Sequence, residues 1–428
     1  MSALLAGAIL VATLTLVLTR PKGIGEAWWA VLGGGLTLVL GLVSLGDAWG
    51  ILRETEDALV LLVGMMALSA VAEKAGFFDW AASLTARAGR GQVFLLYGFV
   101  FLVGTLVTTT LSLDATAIVL TPIVYGMVVR LRLSPLPFMF ACVYTANTAS
   151  LFLPVSNLTN LLAYDRFDLG FARFALVMLL PGLLAVLTNF AIFAWLFRND
   201  LRGSYETDKD ARFSAEHRGF FGVATGGIAG VLAAFFVAPL FGAPIGLVAL
   251  AAGAIVVAVC RVAGWVTLWE VAGEISWGII FLVVGLFLVV QGVQNVGLAA
   301  LAEDAFAAGA PGDGLLQILS IVFGSALGSN VINNVPMTVL SLGAVEPLVD
   351  GGTLDITAVY AVVVGAGIGP NLTIVGSLAT LIWLSIARGR GLEITAKDYL
   401  KVGAIATPPI LLAAAVGLWI SVRLFGVG

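Results

Sequence analysis

The sequence predicts an all-α polytopic membrane protein built as two inverted repeats, with about ten transmembrane helices, two re-entrant helical hairpins and two discontinuous helices. Three observations predict it. The composition suits lipid: of 428 residues 60% are hydrophobic and 11% charged, whereas a soluble domain carries about 25% charged residues. Four long apolar stretches have polar or helix-breaking centres. Those stretches recur in the same order at one spacing. The composition excludes a soluble enzyme, a nucleic-acid binder and a disordered scaffold. Cys142 and Cys260 lie in apolar runs and His217 is the single histidine. No disulfide framework, metal cluster or histidine-based catalytic triad is visible, so no cofactor or metal is expected.

A spanning helix needs about 20 apolar residues. Uncharged runs place ordinary crossings at 2–19, 27–46, near 57–75, 174–197, two within 219–260 that turn at Pro239 to Pro244, 275–295 and 402–422. Segments 133–164 and 356–387 carry no charge and are too long for one ordinary span. Each has break chemistry at its middle, Asn147-Thr148-Ala149-Ser150 in one and Gly367-Ile368-Gly369-Pro370-Asn371 in the other, so helix breaks are expected at 147–151 and 367–371. Segments 92–129 and 314–345 are polar at their centres, from Thr108 to Asp114 and from Gly328 to Pro336, and read as hairpins returning to the side they entered.

A shift of 220 lays Gly104 on Gly324, Asp114 on Asn334, Val119 on Val339, Leu158 on Leu378 and Leu161 on Leu381; a shift of 221 lays Gly64 on Gly285. The repeats are therefore 1–200 and 219–428, joined by a polar linker, 201–218. With these crossings, all of the 21 Lys and Arg residues fall on one side except Arg53, Arg166, Arg173 and Arg423. That side, which includes Arg20, Lys22, Lys209 and Arg212, is cytoplasmic by the positive-inside rule, and both termini face out. The first segment is not a cleaved signal peptide, since its basic residues follow the apolar run. The crossings between equivalent spans are odd in number, so the repeats are inverted. Inverted repeats with broken helices mark secondary transporters whose site lies near the bilayer midplane. Irregular backbone at that depth must be covered by protein or line a cavity, so the two tips and two breaks are expected to converge on one cavity.

Asp114 is the single carboxylate away from loops and span ends. Such a group costs about 2.5–3.5 kcal/mol on insertion scales, which points to function, although Asp114 could also cap a helix beginning at Ala115. Beside it stand Thr116 and, at the facing tip, Asn330, Asn333 and Asn334. Asn147, Thr148 and Ser150 flank the first break and Asn371 the second; Asn157, Asn160 and Thr373 read as structural. Cys142 and Cys260 read as small buried hydrophobes and His217 as a loop residue. The Gly365 to Gly369 run follows no strand and is no nucleotide fingerprint, and no P-loop is present.

The stretch Ala146–Leu161 (ANTASLFLPVSNLTNL) resembles the signature of ArsB-type arsenite efflux proteins, as do Leu113–Pro122 (LDATAIVLTP) and Asn333–Thr338 (NNVPMT). The resemblance covers nearly the whole chain. It places the chain in the ion transporter superfamily and implies export of arsenite and antimonite as neutral hydroxides, driven by protons. It implies an elevator-type movement by analogy with dicarboxylate relatives, and a prokaryotic plasma or inner membrane location. In some members a soluble arsenite-stimulated ATPase subunit is a partner; a homodimer is one assembly open to the chain. Where dicarboxylate relatives carry Ser-Asn-Thr at a hairpin tip, Asp114-Ala115-Thr116 stands here, and its charge disfavours a dicarboxylate. A sodium/proton antiporter or organic-anion carrier of the same superfamily is the alternative.

Overall fold

Helices follow one another from end to end of this computed structural model, which describes residues 2–19, 21, 24–206, 217–297, 306 and 314–426. Among the described residues there is one isolated bridge, Gln92 to Ser204, and no strand. Met1, Gly428, Arg20, Lys22, Lys209, Arg212 and most of the linker lie outside the described residues.

The chain runs through α1 (Ser2–Thr19), α2 (Glu26–Val39), α3 (Leu45–Lys74) and α4 (Phe77–Ala88). A first hairpin follows, with α5 (Val93–Thr110) as one arm and α6 (Leu113–Ala115), a π-turn (Thr116–Leu120) and α7 (Thr121–Arg130) as the other. Next come the broken helix α8 (Leu136–Ala149) and α9 (Leu158–Arg166), then α10 (Phe171–Leu196). The second half holds α11 (Arg218–Val237), α12 (Ile245–Val262), α13 (Leu268–Glu274) and α14 (Trp277–Asn295). It continues with a second hairpin, α15 (Gly314–Ile332) and α16 (Asn334–Asp350), a second broken helix, α17 (Thr357–Ile368) and α18 (Leu378–Gly389), and α19 (Ala396–Phe425). Nine helices among the described residues are long and apolar enough to cross a membrane, and shorter apolar helices include both halves of the second broken helix.

Three sequence expectations are corrected. The run 27–46 is not one helix: α2 ends at Val39, because Gly41 takes φ 68° and the Thr37 carbonyl accepts the N–H groups of Leu42 and Val43. α3 starts well before 57, where Ser44 and Asp47 form a reciprocal capping box. Both helix breaks lie further along the chain than expected. Asn147 and Thr148 stay helical; the interruption runs from 150 to 157 and ends where Asn157 caps α9. Likewise α17 runs through Gly367 to Ile368, and the interruption of 369–377 ends where Ser377 caps α18. The cap positions are again 220 apart.

Two bodies of helices result. In one, α2 lies along α14 and α12 along α3. Gly285 meets the Ala30 main chain and Gly64 the Ala249 main chain, so any Cβ at either glycine would strike backbone. Close approach through small residues is how helices gain packing energy where lipid supplies no hydrophobic drive. The other body holds both hairpins, both broken helices, α10 and α19. Two ties cross within it. The Arg166 side chain at the end of α9 pairs with Glu346 on α16. At the end of α18, the Arg390 carbonyl accepts the Tyr125 hydroxyl at 2.9 Å and its guanidinium lies over the Tyr125 ring.

Candidate functional site

The first tip is shaped by two local conflicts. Ser112, not Asp114, is the N-cap: its hydroxyl accepts the Ala115 N–H at 3.1 Å, which corrects the expected capping role of Asp114. Asp114 sits in the first turn, where the helix dipole favours a negative charge. Four residues beyond Ile118 stands Pro122, which has no N–H for an α-helical bond to the Ile118 carbonyl. The backbone widens into the π-turn of Thr116–Leu120, with the Thr121 hydroxyl on the Thr116 carbonyl at 3.0 Å. The Thr108 and Thr116 hydroxyls join the two arms at 2.8 Å. π-turns of this kind concentrate at functional sites.

Asp114 is half-buried and faces a cleft of about 90 Å³ between the first hairpin, the α8–α9 break and α3. Ser112 and Asn157 also line it, while Met65 and Ser69 face them from α3. Among the described residues Asp114 makes no hydrogen bond or ion pair, and the cleft is lined by no Lys, Arg or His. Its carboxylate is thus free for a proton or a polar solute.

The remaining expected site residues lie elsewhere. Asn147 donates to Asn371 Oδ1 at 2.9 Å and to Thr380 Oγ1 at 3.4 Å, and Tyr144 donates to the Asn371 carbonyl at 2.7 Å, so the two broken helices are joined directly. Thr148 donates to the Tyr144 carbonyl and accepts from Asn189 on α10 at 3.1 Å. Ser150 donates to the Asn147 carbonyl and accepts from Asn157 at 3.1 Å. Asn334 is buried. Asn333 forms the second tip with φ 76° and ψ 156°, a strained conformation for any residue but glycine, and caps α16 through the Val335 N–H. Asn330 is a staple: it donates to the Ala326 and Gly369 carbonyls and accepts from the Thr373 N–H and hydroxyl. None of residues 328–336 or 367–371 lines the Asp114 cleft. The single cavity expected from sequence is therefore replaced by a cleft at one tip and a packed crossing of two broken helices.

Sequence reasoning missed Asn189, fully buried within α10; a lone amide inside the uncharged run 174–197 was its visible signal. At the crossing, Asn189 Oδ1 and Asn371 Nδ2 are buried without partners among the described residues. Ser377 and Thr380, 2.9 Å apart, complete the polar crossing. Cys142 is buried in the core and does not line the cleft, and no group of three His, Cys, Asp or Glu that could hold a metal occurs among the described residues.

Hairpins laid against interrupted helices, with one carboxylate at a tip, define a multi-pass helical membrane transporter. Solved transporters share this fold. The YdaH transporter of Alcanivorax borkumensis matches with a TM-score of 0.62 at 18% identity, covering 90% of each chain. MtrF of Neisseria gonorrhoeae, reported as illuminating a class of antimetabolite efflux pumps, matches with a TM-score of 0.55 at 14% identity, covering 90% of this chain and 86% of that one. The sequence model of the arsenical pump membrane protein family matches residues 5–422, and the chain belongs to that family. An arsenical pump membrane protein of Escherichia coli is 32% identical over 98% of this chain and 100% of its own length. The equivalent of Yersinia enterocolitica is 31% identical over 98% and 100%. The protein is a membrane arsenical transporter.

Proposed function

We propose that this transporter exports arsenite and antimonite from the cytoplasm in exchange for protons, with Asp114 carrying the proton. The observation that supports this best is that, among the described residues, the Asp114 carboxylate has no partner and its cleft is lined by no basic residue. Trivalent arsenic and antimony hydroxides are neutral at physiological pH. Exporting a neutral solute against its gradient requires a charged species to move the other way, and a group that alternates between neutral acid and carboxylate can carry it. Asp114 takes a proton from outside, and releases it inside as the trihydroxide binds. The solute's hydroxyls can both donate and accept, which suits Asp114, Ser112 and Asn157 on the cleft wall.

The movement in this reading is of elevator type: the body of hairpins and broken helices shifts against the body of α2, α3, α12 and α14. The halves 1–200 and 219–428 act as inverted repeats joined by linker 201–218. The membrane is the prokaryotic inner membrane, with the linker cytoplasmic and both termini outside. Thr116, Asn147, Thr148, Ser150, Asn330, Asn333, Asn334 and Asn371 support the tips and breaks more than they touch solute.

Everted membrane vesicles with an acid interior test the reading. Wild-type protein accumulates arsenite, and Asp114→Asn loses accumulation by at least about 100-fold, the scale of losing an essential proton-transfer group. Arsenite exchange without a gradient survives, because Ser112 remains to cap the helix. Accumulation at the wild-type rate by Asp114→Asn removes the carboxylate from the coupling step. Accumulation only in right-side-out vesicles reverses the assigned sidedness.

A further inference from the structure

The cleft at Asp114 extends beyond the tip. It follows α3 from Leu61 to Glu73, about 18 Å of helix, and takes in Glu274 and Ser276, which flank the turn between α13 and α14. Among the described residues its ionisable lining is three carboxylates, Asp114, Glu73 and Glu274. Asp114 is half-buried while the two glutamates are exposed, so they mark the mouth. Lys74 ends α3 beside that mouth, and the charge distribution puts this end of α3 on the cytoplasmic side. Among the described residues neither glutamate makes an ion pair or a hydrogen bond. The charged groups facing Glu73 are Glu274, Lys74 and Asp79; Lys74 also faces Glu270.

We infer that Glu73 and Glu274 form the cytoplasmic proton exit for Asp114, with Ser69 and Ser276 along the wall of the path. The inference rests on the proton-coupled reading above. One water needs about 10–15 Å³ of such space, so a cleft of about 90 Å³ has room for a hydrogen-bonded file of several waters. In the step, the Asp114 O–H bond breaks as an O–H bond forms on the adjacent water. The excess proton moves along the file to the Glu73 or Glu274 carboxylate, and from there to a base in the cytoplasm. No electrons are transferred, and charge is conserved at each hop. The path explains why two carboxylates stand unpaired on a mouth whose basic neighbour, Lys74, is outside the cleft lining.

The test uses the full chain reconstituted in proteoliposomes, with arsenite as solute. Glu73→Gln/Glu274→Gln lowers pH-driven transport by at least about tenfold while gradient-free exchange changes less than about twofold, the mark of a lost proton-transfer group rather than a lost solute contact. High concentrations of a small buffer on the cytoplasmic face restore the driven rate, and Glu73→Asp/Glu274→Asp retains most of it. Driven transport at the wild-type rate in the double glutamine variant, with Asp114→Asn uncoupled, overturns the exit and leaves the coupling reading standing. Equal loss of driven transport and exchange, without rescue by buffer, also overturns it. A wild-type driven rate in Asp114→Asn overturns the coupling reading on which the exit rests.

Discussion

The two hairpin tips occupy corresponding places in the chain and differ in chemistry. At the first, Ser112 caps in extended backbone, Asp114 carries a carboxylate, and Pro122 forces a π-turn. At the second, Asn333 caps in a strained conformation, Asn334 stands where Asp114 stands in the first, and α16 starts as ordinary helix. The breaks beside them are also held differently. The first is stapled from within, Asn160 donating to the Ser150 and Leu153 carbonyls at 2.6 and 2.9 Å, with Thr109 of the hairpin adding a bond to the Ala149 carbonyl. The second is stapled from its hairpin by Asn330, which donates to the Gly369 carbonyl. A similar backbone plan is thus reached by different side chains. Among the described residues, the first tip places a carboxylate against a cleft, and the second places asparagines outside it.

The strongest way to break this comparison is to move the carboxylate. Asn334→Asp combined with Asp114→Asn keeps the number of acids and changes their place. pH-driven accumulation stays down by at least about 100-fold, because the second tip does not line the cleft. Recovery to near the wild-type rate in everted vesicles would make the tips interchangeable.

A middle-sized effect separates the staples. Asn330 makes more hydrogen bonds than Asn160, yet Asn160→Ala costs more stability, about 2–4 kcal/mol against about 1–2 for Asn330→Ala. Asn160 is fully buried, so its carbonyl partners are left bare, whereas Asn330 is half-buried and water can replace it. Thermal unfolding in detergent ranks the two; the reverse order would show that the second break depends on its hairpin for more than hydrogen bonding.

The smallest effect concerns backbone strain. Asn333→Gly removes the cap and the bond to the Val375 carbonyl but relieves the positive φ, and stability changes by no more than about 1 kcal/mol in either direction. A loss above about 2 kcal/mol in the same unfolding assay would mean that the side chain, rather than the backbone it tolerates, holds the second tip.

The sequence by itself determined the membrane class, the two hairpins, the two interrupted helices and their spacing. These follow from composition, span length and the local chemistry of Gly, Pro, Ser and Asn, which act over a few residues. Even there the polar residues place the first break too early, because Asn147 bonds to Asn371 of the other broken helix and Thr148 to the carbonyl one turn back, so neither needs to end its own helix. Asp114 was legible as a lone carboxylate in an apolar run. Only the tertiary structure decided what surrounds it. Glu73 and Glu274 read as ordinary span-end acids until the fold brings α3 and the α13–α14 turn against the first hairpin. The expected site asparagines proved to be staples and crossing contacts, since a buried amide bonds whichever group packing sets beside it. Such partners lie up to 43 residues away for Asn330 and 233 for Asn147, distances at which one sequence carries no periodic signal.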